Sequence, residues 1–286
     1  MASMPSLSST MAVFLVLSAP AASEREDAEA LLRRVIDFQD RQQELTRLYA
    51  FREKISTVDV DEEGAPQSSK SETYLVTPGP GGEYRRLVAK NGAPLPDKEE
   101  AKQEKKFQEY LDEQLGRTEE ERRRDTEKKM KSRVERYRER LEEAIEVFQF
   151  EPLADAELDG KPVRVFRFEP KPGYRGHSRA TKILARIEGT VWIDPERNQL
   201  ARLHVRFREN MKFLGGVFGR ISEGSEAVAE GFCADDAVWL LDQVEVSLDA
   251  RFYFLKKYRQ QMSFDYFDYR KYSVETEERV GSKPSS

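Results

Sequence analysis

The chain has 286 residues, a formal net charge of −5 and one cysteine. That length permits one large domain or two small ones, with a sizeable core. The acidic balance disfavours a basic nucleic-acid-binding protein, and a single cysteine excludes an intramolecular disulfide bond. Hydrophobic residues make up 38% of the chain and charged residues 35%. This is polar for a globular protein, and the excess charge lies mostly in one segment.

The N-terminus carries a short apolar run, Met11 to Leu17, followed by small residues. This run is too short to span a bilayer, but it fits the hydrophobic region of a secretory signal peptide. No lysine or arginine precedes it, although signal peptides normally begin with a positive charge. We predict a signal peptide over residues 1–22, cleaved near Ala21 or Ala22, and export to the periplasm of a bacterial envelope. A disordered cytosolic leader is the alternative.

Residues 23–286 are predicted to form a single domain that begins with a helix. Ser23 and Glu26 have the spacing of a helix-capping box, and apolar residues recur at helical spacing up to Leu45. Turn residues separate the strand-like runs that follow. These runs cover residues 48–58, 71–78 and 83–90.

A highly charged segment, residues 97–149, interrupts this pattern. Its few apolar residues recur at helical spacing, Gly116 breaks that spacing, and Thr118 with Glu121 can cap a second helix. We therefore predict a long charged helical insertion. One interpretation is a helical excursion that packs on the sheet only at its ends, and the other is an arm that docks a partner protein. The mixed signs of its charges argue against a nucleic-acid arm.

From residue 160 onward, short strands alternate with turns, and no helix signal is strong. The clearest hairpin covers residues 187–207, with the turn at "DPERN". A second long strand alternates over residues 243–254, and its return strand places Met262, Phe264 and Tyr266 on one face. Sequential strands joined by short links imply an antiparallel meander.

The hairpin carries a recognisable motif, G-x-x-W-I-D-P followed by an arginine. With the helix and the antiparallel strands, this motif resembles the bacterial outer-membrane lipoprotein-sorting (LolA/LolB-like) proteins, over about residues 25–95 and 150–275; the chain is also similar to exported proteins of environmental bacteria. The resemblance implies an α+β fold, a curved antiparallel β-sheet that forms an unclosed half-barrel and, by analogy of fold, lipid binding. The charged insertion departs from the family's compact pattern. The motif residues are Gly189, Trp192, Ile193, Asp194, Pro195 and Arg202.

A curved sheet that does not close leaves a concave apolar face, which a helix or a ligand must cover. We expect a hydrophobic or amphipathic ligand there, such as a lipid or a lipoprotein acyl chain. The alternative is that helices fill the concavity and the same side chains are plain core. The candidate ligand-binding residues are Val191, Ile193, Val205, Phe207, Phe252, Phe254, Met262 and Phe264.

One face of the returning hairpin strand is basic. Its side chains, about 7 Å apart in succession, would attract an anionic lipid headgroup or the acidic surface of a partner. The other interpretation pairs them with carboxylates of a neighbouring strand, near Glu245 and Asp249. The four anionic-group candidates are Arg202, His204, Arg206 and Arg208.

The sequence offers little for catalysis, and we predict a non-enzymatic protein without a metal or another cofactor. His177, His204 and Cys233 lack metal-ligand spacing. The glycine-rich stretch at 215–224 lacks the Gly-Lys-Ser/Thr of a phosphate loop, and no nucleophile elbow is present. No nucleic-acid partner and no transmembrane span are expected. The alternative function is a protein-interaction module of the envelope that uses the charged insertion and binds no small ligand.

Overall fold

Within the described residues, the fold combines four helices with one large antiparallel sheet. The computed structural model describes residues 22–61, 63–79, 82–213, 219–235, 237–251 and 257–271. The helices are α1 (Ala22–Thr46), α2 (Asp97–Leu115), α3 (Glu119–Val147) and α4 (Arg179–Leu184). The strands are β1 (Tyr49–Val60), β2 (Pro66–Thr77), β3 (Tyr84–Lys90), β4 (Ala93–Pro94), β5 (Phe148–Pro152), β6 (Ala156–Leu158), β7 (Lys161–Pro170), β8 (Ile187–Asp194), β9 (Gln199–Phe207), β10 (Met211–Phe213), β11 (Gly219–Ile221), β12 (Glu226–Ala234), β13 (Val238–Arg251) and β14 (Lys257–Lys271).

The sheet is antiparallel and unclosed. Its strand order is β4-β3-β2-β1-β14-β13-β12-β9-β8-β7-β5, with the short strands β6, β10 and β11 attached beside this path. Most neighbours in space are also neighbours in sequence, but β1 pairs along its whole length with β14, so the first and last strands lie side by side. The predicted α+β fold, with an unclosed antiparallel sheet, an N-terminal helix and a helical insertion, is confirmed.

One face of the sheet can be followed residue by residue through the strand register. Paired residues form two apolar rows that cross seven strands, and we call the face that carries them the helix-facing surface. The first row is Phe166, Val191, Leu203, Ala229, Val244, Phe264 and Ile55. The second row is Phe168, Gly189, Val205, Ala227, Val246, Met262 and Thr57.

Helix α1 covers one end of the helix-facing surface. Its apolar stripe, predicted from spacing, is buried against the strands β5, β7 and β8 and against the end of α3. The close approach of β8 and β9 beneath it requires glycine at position 189, because a Cβ there would lie 1.9 Å from the backbone oxygen of His204. The main core therefore sits at the β5–β9 end of the sheet. Its buried residues include Leu31, Leu32, Val35, Ile36, Ile145, Phe148, Phe166 and Ile193.

The charged insertion forms the helices α2 and α3. Thr118 and Glu121 make the predicted capping box, with the Thr118 hydroxyl accepting from the Glu121 amide at 3.2 Å. Helix α2 packs on β3, whereas α3 packs on α1, α4 and β5. These two anchoring strands lie near opposite ends of the strand order. The insertion thus touches the sheet at its two ends, as the first interpretation of the sequence predicted.

Helix α4 corrects the expectation that no helix follows residue 160. It spans only six residues, and its cap pairs Ser178 with Thr181 instead of with a glutamate. Such a short helix produces no apolar periodicity, which explains why the sequence pattern did not indicate it. Its importance lies in Leu184, which packs against the main core.

Candidate functional site

An apolar cavity of about 170 Å³ lies between the helices and the β5–β9 end of the sheet. Every side chain in its lining is aliphatic or aromatic, so it has no polar group with which to hold water. Helices α1, α3 and α4 form one side, and the helix-facing surface forms the other. The lining residues are Leu32, Leu141, Ala144, Phe148, Phe150, Phe168, Leu184, Ile187, Val191, Leu200, Leu203 and Val205.

Simple alternation of side chains brings the aromatic part of this lining together. Phe148 and Phe150 are two residues apart on β5 and therefore lie on the same face, and Phe168 of the neighbouring strand β7 pairs directly with Phe150. The ring centroids of Phe148 and Phe168 are 4.7 Å apart. The missing side chain at Gly189 leaves room beside Phe168, whose ring would otherwise meet a Cβ at 2.7 Å.

A second cavity, of about 320 Å³, adjoins the first. Leu200 and Leu203 line both cavities. Unlike the first cavity, the second has polar side chains in its lining, and burial raises the pKa of Tyr137 there to about 12. The lining residues are Gln42, Tyr137, Leu200, Ala201, Arg202, Leu203, Ala229, Glu230, Gly231, Trp239, Leu240 and Leu241.

The six predicted ligand-binding residues that the structure describes share one face, but only two of these six line the apolar cavity. Val191 and Val205 do so, while Ile193 is fully buried in the core beside it. Met262 and Phe264 lie farther along the two rows, on β14, and are half-buried. Phe207 is half-buried at the end of β9, opposite Ile187. Phe252 and Phe254 lie outside the described residues.

Three of the four basic candidates, Arg202, His204 and Arg206, lie on the opposite face of β9, next to carboxylates of the neighbouring strands. The His204 Nε2 is 3.1 Å from a Glu226 oxygen, and the Arg202 Nε is 3.8 Å from a Glu230 oxygen. Arg206 pairs in register with Glu226 on one side and with Glu188 on the other. Arg208 is exposed just beyond the end of the strand.

The carboxylates facing this basic row are not those near Glu245 and Asp249, which the sequence suggested. Strand β12 lies between β9 and β13, so its own glutamates face the basic side chains first. Asp249 instead accepts from the Arg259 guanidinium at 2.9 Å. The error arose because strand order is a tertiary property that alternation within single strands does not encode.

The motif residue Asp194, at the β8–β9 turn, lies at the centre of a buried polar network. Asp194, 0% exposed, accepts hydrogen bonds from the backbone amides of Glu196 and Arg197, both at 2.9 Å. The Arg197 guanidinium and the Trp239 indole Nε1 each donate to its other oxygen, again at 2.9 Å. Gln199, also 0% exposed, accepts from the Trp239 amide at 2.7 Å. The network therefore ties the hairpin to β13.

A shallow polar groove of about 340 Å³ crosses β1, β13 and β14. Serine, glutamine and glutamate side chains of the face opposite the helix-facing surface dominate its lining, so it does not suit an apolar ligand. The lining residues are Ser56, Val58, Glu245, Val246, Ser247, Gln261, Met262 and Ser263.

Metal-binding clusters and membrane-spanning helices are both absent from the part of the chain that the structure describes. No group of three or more His, Cys, Asp or Glu side chains is arranged to hold a metal ion there. No helix in the same residues is both long enough and apolar enough to cross a membrane.

Comparison with known proteins finds similarity in structure only. No protein-family model and no curated protein matches the sequence. A domain from Vibrio parahaemolyticus assigned to outer membrane lipoprotein sorting is 9% identical, with a TM-score of 0.33 over 85% of this chain and 94% of that chain. A LolA superfamily protein from Nitrosomonas europaea is 8% identical, with a TM-score of 0.30 over 90% and 97%. The MucA/MucB complex of Pseudomonas aeruginosa is 11% identical, with a TM-score of 0.27 over 89% of this chain and 96% of that chain.

The resemblance to lipoprotein-sorting proteins, first indicated by the hairpin motif, is thus confirmed as a structural similarity at low sequence identity. Identities and TM-scores this low carry no argument about the function of this chain. The chemistry of the site is given by this chain's own residues.

The sequence analysis assigned ligand binding to only two of the twelve residues that line the apolar cavity, Val191 and Val205. The sequence feature that could have indicated more of the cavity is the alternation of phenylalanines in two similar segments, "VFQFEP" (residues 147–152) and "VFRFEP" (residues 165–170). These segments contain the strands β5 and β7, which pair with each other. Leu141 belongs to the apolar residues that recur at helical spacing in the insertion, but that spacing does not indicate which surface they contact, and Phe148 begins strand β5 instead of continuing the helix. Leu184 lies on the helix that the sequence pattern did not indicate.

Proposed function

We propose that this chain is an exported, non-enzymatic protein of the bacterial envelope that binds a hydrophobic or amphipathic ligand. The ligand lies between the helices α1 and α3 and the helix-facing surface of the sheet. The observation that carries the proposal is the apolar cavity of about 170 Å³, whose lining has no polar side chain.

An unfilled apolar cavity is costly for a protein that has no use for it. Large-to-small substitutions in protein cores lower stability in proportion to the cavity volume that they leave, because the side chains around the cavity lose contacts. An apolar ligand recovers much of this free energy through its contacts with the lining. A cavity of this size at the end of a folded core therefore favours a ligand over plain core.

Export is compatible with this arrangement. The main core begins at Ala28 of α1, so a cleavage near Ala21 or Ala22 would leave every described core residue in the mature protein. Sequencing the N-terminus of protein purified from a periplasmic fraction tests this part of the proposal. A mature protein that starts at Met1 would contradict it.

Ligand binding can be tested directly with benzene, since an engineered apolar cavity of about 150 Å³ takes one benzene molecule. We expect the mature protein to bind benzene in ligand-observed NMR, and native mass spectrometry of protein from an envelope fraction to show a co-purified adduct. Leu203→Trp should abolish benzene binding, because Leu203 lines the cavity and a tryptophan would fill it.

The matched control is Val246→Trp. Val246 lies on the same helix-facing surface, but on β13 and outside the apolar cavity. This variant should keep its affinity for benzene. Equal loss in both variants would show that the whole face, and not the cavity, holds the ligand; no binding by the wild-type protein would overturn the proposed function.

A protein-interaction function for the insertion is the second candidate, favoured by Leu115. This leucine is 71% exposed at the junction of α2 and α3, while charged side chains around it pair within the helices, as Arg117 does with Glu113. A cross-linker placed at position 115 in living cells should capture one discrete protein, and one placed at the exposed Lys128 should not. Identical patterns from both positions would contradict this function.

A further inference from the structure

A row of basic residues crosses the strands β10, β11, β13 and β14. Lys212 of β10 pairs in register with Arg220 of β11, and Arg220 pairs with Arg251 of β13. Arg251 in turn pairs with Lys257 of β14. Positions that pair directly across antiparallel strands lie on the same face of a sheet, with their Cβ atoms about 5 Å apart. The strand register therefore places four basic residues in one continuous row, which we call the basic row.

The basic row and the helix-facing surface lie on opposite faces of the sheet. Val246 belongs to the helix-facing surface, and Arg251 is five positions farther along the same regular strand, so alternation places the two positions on opposite sides. Met211 and Ala250, which precede Lys212 and Arg251 in the chain, are 8% and 1% exposed. The basic row is therefore separate from the apolar cavity.

The chain supplies few carboxylates near the basic row. Residues 211–222 and 250–261, which contain all four of its positions, include no aspartate and no glutamate. The adjacent position on the same face of β13 is Asp249. Its carboxylate accepts from the Arg259 guanidinium and from the Ser222 hydroxyl, both at 2.9 Å. This carboxylate is thus already held by groups outside the row.

Arg220 has a donor without an acceptor. Its Nε is buried and has no hydrogen-bond partner among the residues that the structure describes. A buried donor without a partner costs free energy, and the cost is larger when the group is charged. Like charges directly opposite each other on neighbouring strands also destabilise a sheet. An anion bound at the basic row would reduce both costs.

The basic face of β9 shows the contrast. There His204 pairs with a glutamate of the next strand, with its Nε2 3.1 Å from a Glu226 oxygen. Arg220 instead pairs in register with Lys212 on one side and with Arg251 on the other. The chain's own carboxylates face the basic side chains of β9, whereas the basic row is open to an anion from outside the chain.

We propose that the basic row is a binding site for phosphate groups. Arginine guanidinium groups bind phosphate oxygens through two parallel hydrogen bonds, and lysine adds a compact positive charge. The row extends over three gaps between strands, on the order of 14 Å, so it is longer than one phosphate group. A ligand that presents more than one phosphate group uses the whole row.

Two probes distinguish a soluble phosphate ligand from phospholipid headgroups. Inorganic pyrophosphate tests the first by calorimetry. Vesicles of phosphatidylglycerol test the second by co-sedimentation, with vesicles of zwitterionic phosphatidylcholine as the reference. We expect the protein to bind at least one probe, with an affinity that falls as salt is added, because salt screens the attraction between charges. Binding of pyrophosphate alone assigns the row to a soluble ligand, and binding of the anionic vesicles alone assigns it to headgroups.

Arg220→Gln should weaken binding of that probe by at least about tenfold, as expected for the loss of one hydrogen bond from a charged donor. Lys212→Gln, at an exposed position, should weaken it by a smaller factor and leaves the fold intact. The matched control is Arg164→Gln, at an arginine of β7 whose Nε lies 2.9 Å from an Asp155 oxygen. It should bind both probes as the wild type does.

Three results would overturn the site: no binding of either probe by the wild type, unchanged binding by both variants of the basic row, or equal weakening in the control. Benzene binding in the apolar cavity is expected to be the same in all of these proteins, because the row and the cavity lie on opposite faces. The proposed function therefore stands or falls independently of the phosphate site.

Discussion

The first apolar row of the helix-facing surface has two very different ends. Phe166 and Val191, under α1, are 1% and 4% exposed. Phe264 and Ile55, in the same row on β14 and β1, are half-buried. The alternation within each strand is equally good at both ends, so helix cover, and not strand pattern, decides which end becomes core.

The less covered end compensates with tyrosines and paired charges. Arg85 contacts Glu53 at 2.6 Å, and its guanidinium lies 3.6 Å from the centre of the Tyr74 ring. Phe51 packs against Tyr266 and Tyr269 with ring centroids 5.9 and 5.2 Å apart. Tyrosine suits such a surface because its ring is apolar and its hydroxyl can stay wet. The aromatic residues of β14 therefore lie on a partly solvent-exposed face of the sheet and do not line the apolar cavity.

Truncating one phenylalanine at each end of the row should separate the two regions most strongly. Phe166→Ala should lower the free energy of unfolding by about 3–5 kcal/mol, because it empties a fully buried site. Phe264→Ala should cost about 1–2 kcal/mol, since solvent already reaches that side chain. Urea unfolding measures both values. Equal losses would show that the β14 end is as well packed as the β8 end.

A smaller loss of stability is expected at Asp194, whose hydrogen bonds connect the β8–β9 turn to β13. Asp194→Ala should lower the free energy of unfolding by about 3 kcal/mol, because the Arg197 guanidinium and the Trp239 indole would lose a buried partner. Glu104→Ala is the control, at an exposed ion pair with Arg86, and should change it by less than about 1 kcal/mol. A loss below that of the control would mean that water replaces the carboxylate.

The smallest effect concerns pH at the less covered end. Burial, with the nearby charge of Glu53, raises the pKa of Tyr266 to about 12. The folded protein thus holds this proton more tightly than the unfolded chain, in which tyrosine titrates near 10. Its contribution to stability is complete below about pH 10 and is lost as the pH rises towards 12. Tyr266→Phe should therefore lose less stability than wild type between about pH 9 and about pH 11 in unfolding experiments. Parallel pH profiles would contradict this assignment.

Much of this architecture follows from local chemistry. The capping box at Thr118, the break at Gly116 and the alternation of Val191 with Ile193 each depend on a few consecutive residues, so the sequence alone predicts them. The same local alternation predicts on which side of its own strand each of Val191, Val205, Met262 and Phe264 lies, whereas the strand pairing decides that these sides form one face.

What could not be predicted depends on partners distant in sequence. The position of β12 between β9 and β13 decides which glutamates face His204. The contact of α3 with the main core decides that the cavity lies beside Val191 and not beside Met262. Trp239 and Asp194 are 45 positions apart, and no pattern in either segment indicates their hydrogen bond.

The attachment of the insertion at both ends of an open sheet has a mechanical consequence. Helix α2 grips the β3 end through Tyr84, whose ring lies 5.0 Å from that of Phe107, and α3, about 43 Å long by its 29 residues, is held at the β5 end. Spreading the two edges of the sheet would therefore have to change the angle between α2 and α3 at their junction near Gly116, because each helix hardly stretches. The insertion thus couples the distance between the two edges of the sheet to the angle between its two helices.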